Sequence, residues 1–175
     1  MKFSVCIDSV LKGSDSERIE ICKKAGAEAF EFWAWWNRDL DALKRAADNA
    51  GLKISAMCTK FASLTDPGQR AEYKEGLRQS LEAAAKLGCR ILISQTGNDT
   101  GGERALQHKS VVEGLKECLP LLDRTGVTLV LEPLNTFIDH KGYYLWQSSE
   151  AFGIIDEVGS PQVKVLYDIY HQQIM

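Results

Sequence analysis

Two carboxylates and a histidine near the end of the chain have the residue types and spacing to do chemistry. Leu129-Val130-Leu131-Glu132-Pro133-Leu134-Asn135 and Val163-Lys164-Val165-Leu166-Tyr167-Asp168-Ile169-Tyr170-His171 are each a short apolar, β-branched run that stops on an acid. That is the pattern of a buried strand where it emerges from a core. If the two strands are parallel neighbours, Glu132 and Asp168 stand side by side at one rim. Carboxylates that close repel, and the arrangement is tolerated when a divalent cation neutralises them or when one is held protonated. His171, three residues past Asp168, leans over the same spot. On the residues alone, structural carboxylates bonded to backbone amides explain the pair equally well.

The elements that must position these groups are marked by a recurring signal: a helical stretch, a small residue, Gly, then a short strand. It occurs as Lys24-Ala25-Gly26 before Ala29, Asn49-Ala50-Gly51 before Lys53, Lys86-Leu87-Gly88 before Arg90, Arg124-Thr125-Gly126 before Thr128, and Glu157-Val158-Gly159 before Val163. Gly is favoured just past a helix because the left-handed conformation there penalises a Cβ. Helix starts agree with these ends. Ser14-Asp15-Ser16-Glu17 is a capping box, Asn37 or Asp39 opens the next helix, and Thr65-Asp66-Pro67 places a cap ahead of a proline at the first helical position. Apolar residues at near-helical spacing fill the stretch from Glu103 to Leu122, and Ser148-Ser149-Glu150 opens the last helix.

Strand and helix therefore alternate, with six strands beginning near Phe3, Ala29, Lys53, Arg90, Thr128 and Val163. Strict alternation implies right-handed crossovers and a parallel sheet covered by helices. A doubly wound open sheet would carry a Gly-rich phosphate loop after its first strand, and Ile7-Asp8-Ser9-Val10-Leu11 has none. Instead the strands end in polar side chains: Asp8, Glu31, Thr59 with Lys60, Gln95, Glu132 and Asp168. Functional groups on many successive strand ends are how a (β/α)8 barrel builds its site, and an α/β barrel of the TIM type is the expected fold class.

Composition narrows the partners. The formal net charge of −3 comes with no run of Lys or Arg, which leaves no electrostatic footprint for nucleic acid or an anionic membrane. With 45% apolar and 26% charged residues the chain is an ordinary globular one, expected to be a single domain over residues 1–175. Five cysteines without a Cys-x-x-Cys pair point to reduced, buried thiols. The N-terminal run Met1-Lys2-Phe3-Ser4-Val5 goes straight into a strand and no stretch is long enough to span a bilayer, so the expected location is the cytoplasm. Among lesser candidates, Glu31 is read as substrate-positioning or salt-bridged. Trp33, Trp35 and Trp36 are read as aromatic cover, and His108 as a surface residue.

Glu132-Pro133-Leu134-Asn135, Asp139-His140-Lys141-Gly142-Tyr143-Tyr144-Leu145 and Tyr167-Asp168-Ile169-Tyr170-His171-Gln172-Gln173 together resemble the hydroxypyruvate isomerase family. That family lies within the xylose isomerase-like barrel group, alongside sugar epimerases and endonuclease IV. The resemblance implies that Glu132 and Asp168 bind a divalent metal, Mg²⁺ or Mn²⁺, that Glu132 also acts as an acid/base group, and that His171 is catalytic and contacts substrate, with Asn135 beside it as a further substrate-binding residue. It implies conversion of hydroxypyruvate to tartronate semialdehyde through an enediolate, with no NAD, flavin or pyridoxal phosphate. A ketose 3-epimerase of the same fold is the alternative. Family members continue for two more βα units, so about six of eight are expected here, in a barrel type that runs to about 250 residues. A C-terminally truncated, non-catalytic chain that assembles with other copies through an open sheet edge is the reading of another class.

Overall fold

The computed structural model describes residues 2–175; Met1, which begins the expected N-terminal run, lies outside the described residues. Six strands, β1 (Ser4–Cys6), β2 (Ala29–Phe32), β3 (Lys53–Cys58), β4 (Ile91–Ser94), β5 (Thr128–Leu131) and β6 (Val163–Val165), alternate with helices. The helices are α1 (Ile7–Val10), α2 (Asp15–Lys24), α3 (Leu40–Ala50), α4 (Arg70–Leu87), α5 (Arg104–Thr125), α6 (Ser148–Val158) and α7 (Ile169–Ile174).

The local signals operate as expected in most places. The Ser14 hydroxyl accepts the Glu17 N–H and the Glu17 carboxylate returns to the Ser14 N–H at 2.8 Å, starting α2. Asp39 caps α3 by accepting from the N–H groups of Asp41 and Ala42. Helices α3, α4, α5 and α6 end on Gly51, Gly88, Gly126 and Gly159, all left-handed.

Three segments differ from expectation. A single helical turn, α1, follows β1, so Asp8 belongs to that turn rather than to a strand end. Pro67 opens a 3₁₀ turn over Pro67–Gln69, capped by Asp66, and α4 begins only at Arg70. The run into Asp168 does not continue as strand: Asp168 accepts the Tyr170 N–H at 2.8 Å and caps α7, which puts His171 in a first helical turn.

The sheet is wholly parallel and its strand order equals the chain order, β1 to β6. A doubly wound sheet reverses its order at a switch point and carries helices on both faces. Here no reversal occurs, and right-handed crossovers all place their helices on one face, as in a TIM barrel. The two-residue period of a strand then sorts the side chains. Leu129 and Leu131 of β5 join the large core under the helices, with Phe30, Phe32, Leu92 and Val163. Val130, between them, faces the other way into a small apolar cluster with Ala56, Cys58 and Ile93. Carrying that alternation one residue past β5 turns Glu132 to the inner face.

Candidate active site

Strands β5 and β6 are direct neighbours, with Leu129 opposite Val163 and Leu131 opposite Val165. Glu132 follows β5 at once, and Asp168 stands three residues beyond β6. Ligand atoms of Glu132, Asp168 and His171 all lie within 4.8 Å of one another. His171 is buried, and its Nε2 stands 3.8 Å from Asp168 Oδ2, too far for a hydrogen bond. Its Nδ1 receives the backbone N–H of Asn135 at 3.3 Å and the Asn135 amide nitrogen at 2.8 Å. Asn135 itself is fully buried, with its carboxamide bonded entirely within the protein.

The electrostatics follow from burial without compensation. Among the described residues, neither Glu132 nor Glu31 has an ion-pair partner, and Asp168 meets only His171. Burial first, then the charges of Asp168 and Glu31, push Glu132 up to about 7, against a weaker opposing pull from the Gln95 amide. Glu31, inward-facing on β2, is raised by burial and by Asp168. His171 is lowered, because burial disfavours the imidazolium more than Asp168 favours it. Three acids thus share one concave face with no basic side chain between them.

The other strand-end groups divide. Asp8 is spent on structure: it pairs with Arg18 at 3.0 Å and with Arg38, which also binds Asp15, and it accepts the Trp33 N–H. Thr59 is buried and the Lys60 ammonium reaches Gln79 rather than the rim. Gln95 stands beside Glu132 and also lines a cleft of ≈ 470 Å³ with Ser63, Gln69, Gly97, Asn98 and Asp99. Its Oε1 is buried without a partner. Gly97 is obligatory there: its φ is +98° and a Cβ would fall 2.2 Å from the Ser63 hydroxyl. Of the tryptophans, Trp33 and Trp36 are exposed, and Trp35 is tied by its indole N–H to Ser80. His108 bonds Glu157 on the outside of α5.

Two contributors were not legible in the sequence as site residues. The Tyr143 hydroxyl accepts the Thr96 N–H at 2.9 Å and donates to the Glu132 carbonyl at 3.1 Å, fastening the loops after β4 and β5 together. Asp139 accepts from both Asn135 and Tyr170. Neither role has a local signal, since each depends on how a loop closes.

The family model for the xylose isomerase-like TIM barrel matches residues 19–175. The chain belongs to the xylose isomerase-like TIM barrel family. Its similarity to family proteins runs along most of its length. A Danio rerio protein named "Putative hydroxypyruvate isomerase" is 32% identical over 172 residues, covering 91% of this chain and 62% of that protein. The Escherichia coli K12 hydroxypyruvate isomerase is 33% identical over 110 residues, 62% of this chain and 42% of that enzyme. A crystal structure described as AP endonuclease, family 2, from Brucella melitensis superposes with a TM-score of 0.92 at 25% identity, over 99% of this chain and 70% of that one. The chain thus spans about 62% of the length of the first of these relatives.

Proposed function

We propose that the barrel to which these six βα units belong is a metal-dependent isomerase that moves a proton between adjacent carbons of a small 2-hydroxy-carbonyl substrate, with hydroxypyruvate to tartronate semialdehyde as the reaction. The observation that carries this reading is the uncompensated pair Glu132 and Asp168 on neighbouring strands, in a chain similar to proteins named for that isomerisation. The donor set fits a hard divalent cation. Two buried carboxylates with no basic partner are oxygen ligands whose mutual repulsion a cation relieves, and Glu132 and Asp168 are the residues that would hold Mg²⁺ or Mn²⁺. When bound, such an ion supplies Lewis-acid polarisation of the substrate oxygens.

The chain's own residues do the rest. Glu132 faces the concave side, where its carboxylate takes up the proton from one substrate carbon and returns it to the next. His171 donates a hydrogen bond to a substrate oxygen, stabilising charge as the enediolate forms. The cleft beside Gln95 leaves room for the remainder of a hydroxy-keto acid or sugar. Five unpaired cysteines suit a reducing compartment, and we place the protein in the cytoplasm. Among the described residues no helix is long and apolar enough to cross a membrane.

The test is proton NMR of hydroxypyruvate with the protein and Mg²⁺ or Mn²⁺ in D₂O, where enediolate chemistry exchanges the migrating hydrogen with solvent. Glu132→Gln should abolish exchange, and His171→Ala should slow it by about two to four decades. Exchange undiminished in Glu132→Gln would overturn the assignment. A folded, metal-loaded protein that exchanges nothing would favour the non-catalytic reading.

A further inference from the structure

The imidazole of His171 is fixed by its surroundings more tightly than its role as a lone donor would require. A backbone N–H can only donate, so the Asn135 N–H at 3.3 Å makes Nδ1 an acceptor. The side chain of Asn135 repeats the instruction. Its Oδ1 accepts the N–H groups of Ile138 and Asp139, each at 3.1 Å, which identifies the oxygen and leaves the amide NH₂ facing His171 at 2.8 Å and Asp139 Oδ2 at 2.7 Å. Asp139 is held in its turn by the Tyr170 hydroxyl at 2.8 Å. Two donors therefore converge on Nδ1, and the neutral ring must carry its hydrogen on Nε2, the atom turned toward Asp168.

We propose that Asn135, backed by Asp139, is a positioning residue that locks His171 as its Nε2–H tautomer, so that the ring enters the site as a hydrogen-bond donor and stays outside the coordination shell of the metal. The inference rests on the isomerase reading only for what receives that hydrogen bond; the tautomer stands apart from it. Distance alone would admit His171 as a third ligand, since its nitrogen lies within 4.8 Å of both carboxylates. Ligation through Nε2 would move the ring hydrogen to Nδ1, opposite two donors with no acceptor, leaving buried hydrogen bonds unmade. An amide at position 135 is the chemically selective choice. A carboxylate there would accept from Nδ1 and call the hydrogen to the wrong nitrogen.

The experiment is long-range ¹H–¹⁵N correlation spectroscopy of the ¹⁵N-histidine-labelled protein, metal-free and then with diamagnetic Mg²⁺, the His171 signals being those absent from His171→Gln. The expected result is one unprotonated, pyridine-like Nδ1 and one protonated Nε2, unchanged by Mg²⁺. Asp139→Asn, which keeps an acceptor for the amide, should retain that pattern. Asn135→Asp should protonate Nδ1, while His108 and His140 keep their wild-type signals. A wild-type ring with hydrogen on Nδ1, an average of the two tautomers, or a reversal on adding Mg²⁺ would overturn the proposal, and the wild-type spectrum decides even if Asn135→Asp does not fold. If the isomerase reading alone is wrong, the locked tautomer persists in a protein that exchanges no substrate hydrogen.

Discussion

Replacing Glu132 with Gln should make the metal-free protein more stable above neutral pH and leave it nearly unchanged in acid. The folded structure raises the Glu132 carboxyl from 4.5 to about 7, chiefly through burial and then through Asp168 and Glu31. The unfolded chain exposes the same group to water, where it titrates near its ordinary value. The folded state therefore binds the proton more tightly, so stability is fully present below the unfolded value and is lost as pH rises through the folded one. At about 1.4 kcal/mol per pH unit, the interval amounts to about 3 kcal/mol. Gln carries no such proton and escapes the loss. Urea denaturation with a chelator present should give wild type and Glu132→Gln nearly equal stability near pH 4.5, the ordinary value of the group, and a Gln variant more stable by up to about 3 kcal/mol near pH 8. Adding Mg²⁺ or Mn²⁺ should reverse that order by stabilising only the wild type. A difference that does not change with pH, or a variant less stable near pH 8, would refute the account of Glu132 as an uncompensated buried acid.

Two further outcomes test the scaffold. Gly97→Ala combines a positive φ with a Cβ placed 2.2 Å from the Ser63 hydroxyl, and should cost about 2–4 kcal/mol by denaturant titration while distorting the cleft beside Gln95. Arg38→Met removes one of two arginines from Asp8 and the guanidinium contact of Asp15, and should cost about 1–3 kcal/mol, less than a fully orphaned buried charge because Arg18 and the Trp33 N–H still hold Asp8.

Where the chain's signals are local, the sequence was sufficient. The capping box at Ser14, the cap at Asp39 and the glycines that end α3 to α6 act over four or five residues and were readable without a fold. So were the six strands, because each is a short apolar run between such marks. Asp8 shows the limit: read as a strand-end group, it sits in a helical turn with Arg18 and Arg38 around it, and Arg38 lies thirty residues away. Asp168 had a usable signal, since Asp ahead of a helical turn is a common cap, but the apolar residues on both sides of it read as one strand. The juxtaposition of Glu132, Asp168 and His171 followed from parallel neighbours in register. The protonation geometry of His171 did not, because it depends on the turn from Asn135 to Asp139 folding back on itself.

The equality of strand order and chain order has a consequence for how the site fails. Helices pack only on their neighbours in sequence, α2 on α3 through to α5 on α6, so the structure behaves as a row of units with nearest-neighbour coupling. In such a row, brief local openings are easiest where a unit is held from one side, and in this structure β6, three residues long, pairs with β5 alone. Asp168 and His171 ride on that unit, whereas Glu132 rides on β5, which is gripped by β4 as well. Amide protons of Val163–Val165 would accordingly trade with solvent ahead of those of Thr128–Leu131. A cation shared by Glu132 and Asp168 would then act as a staple, joining the loosest unit of the row to its neighbour and slowing that exchange.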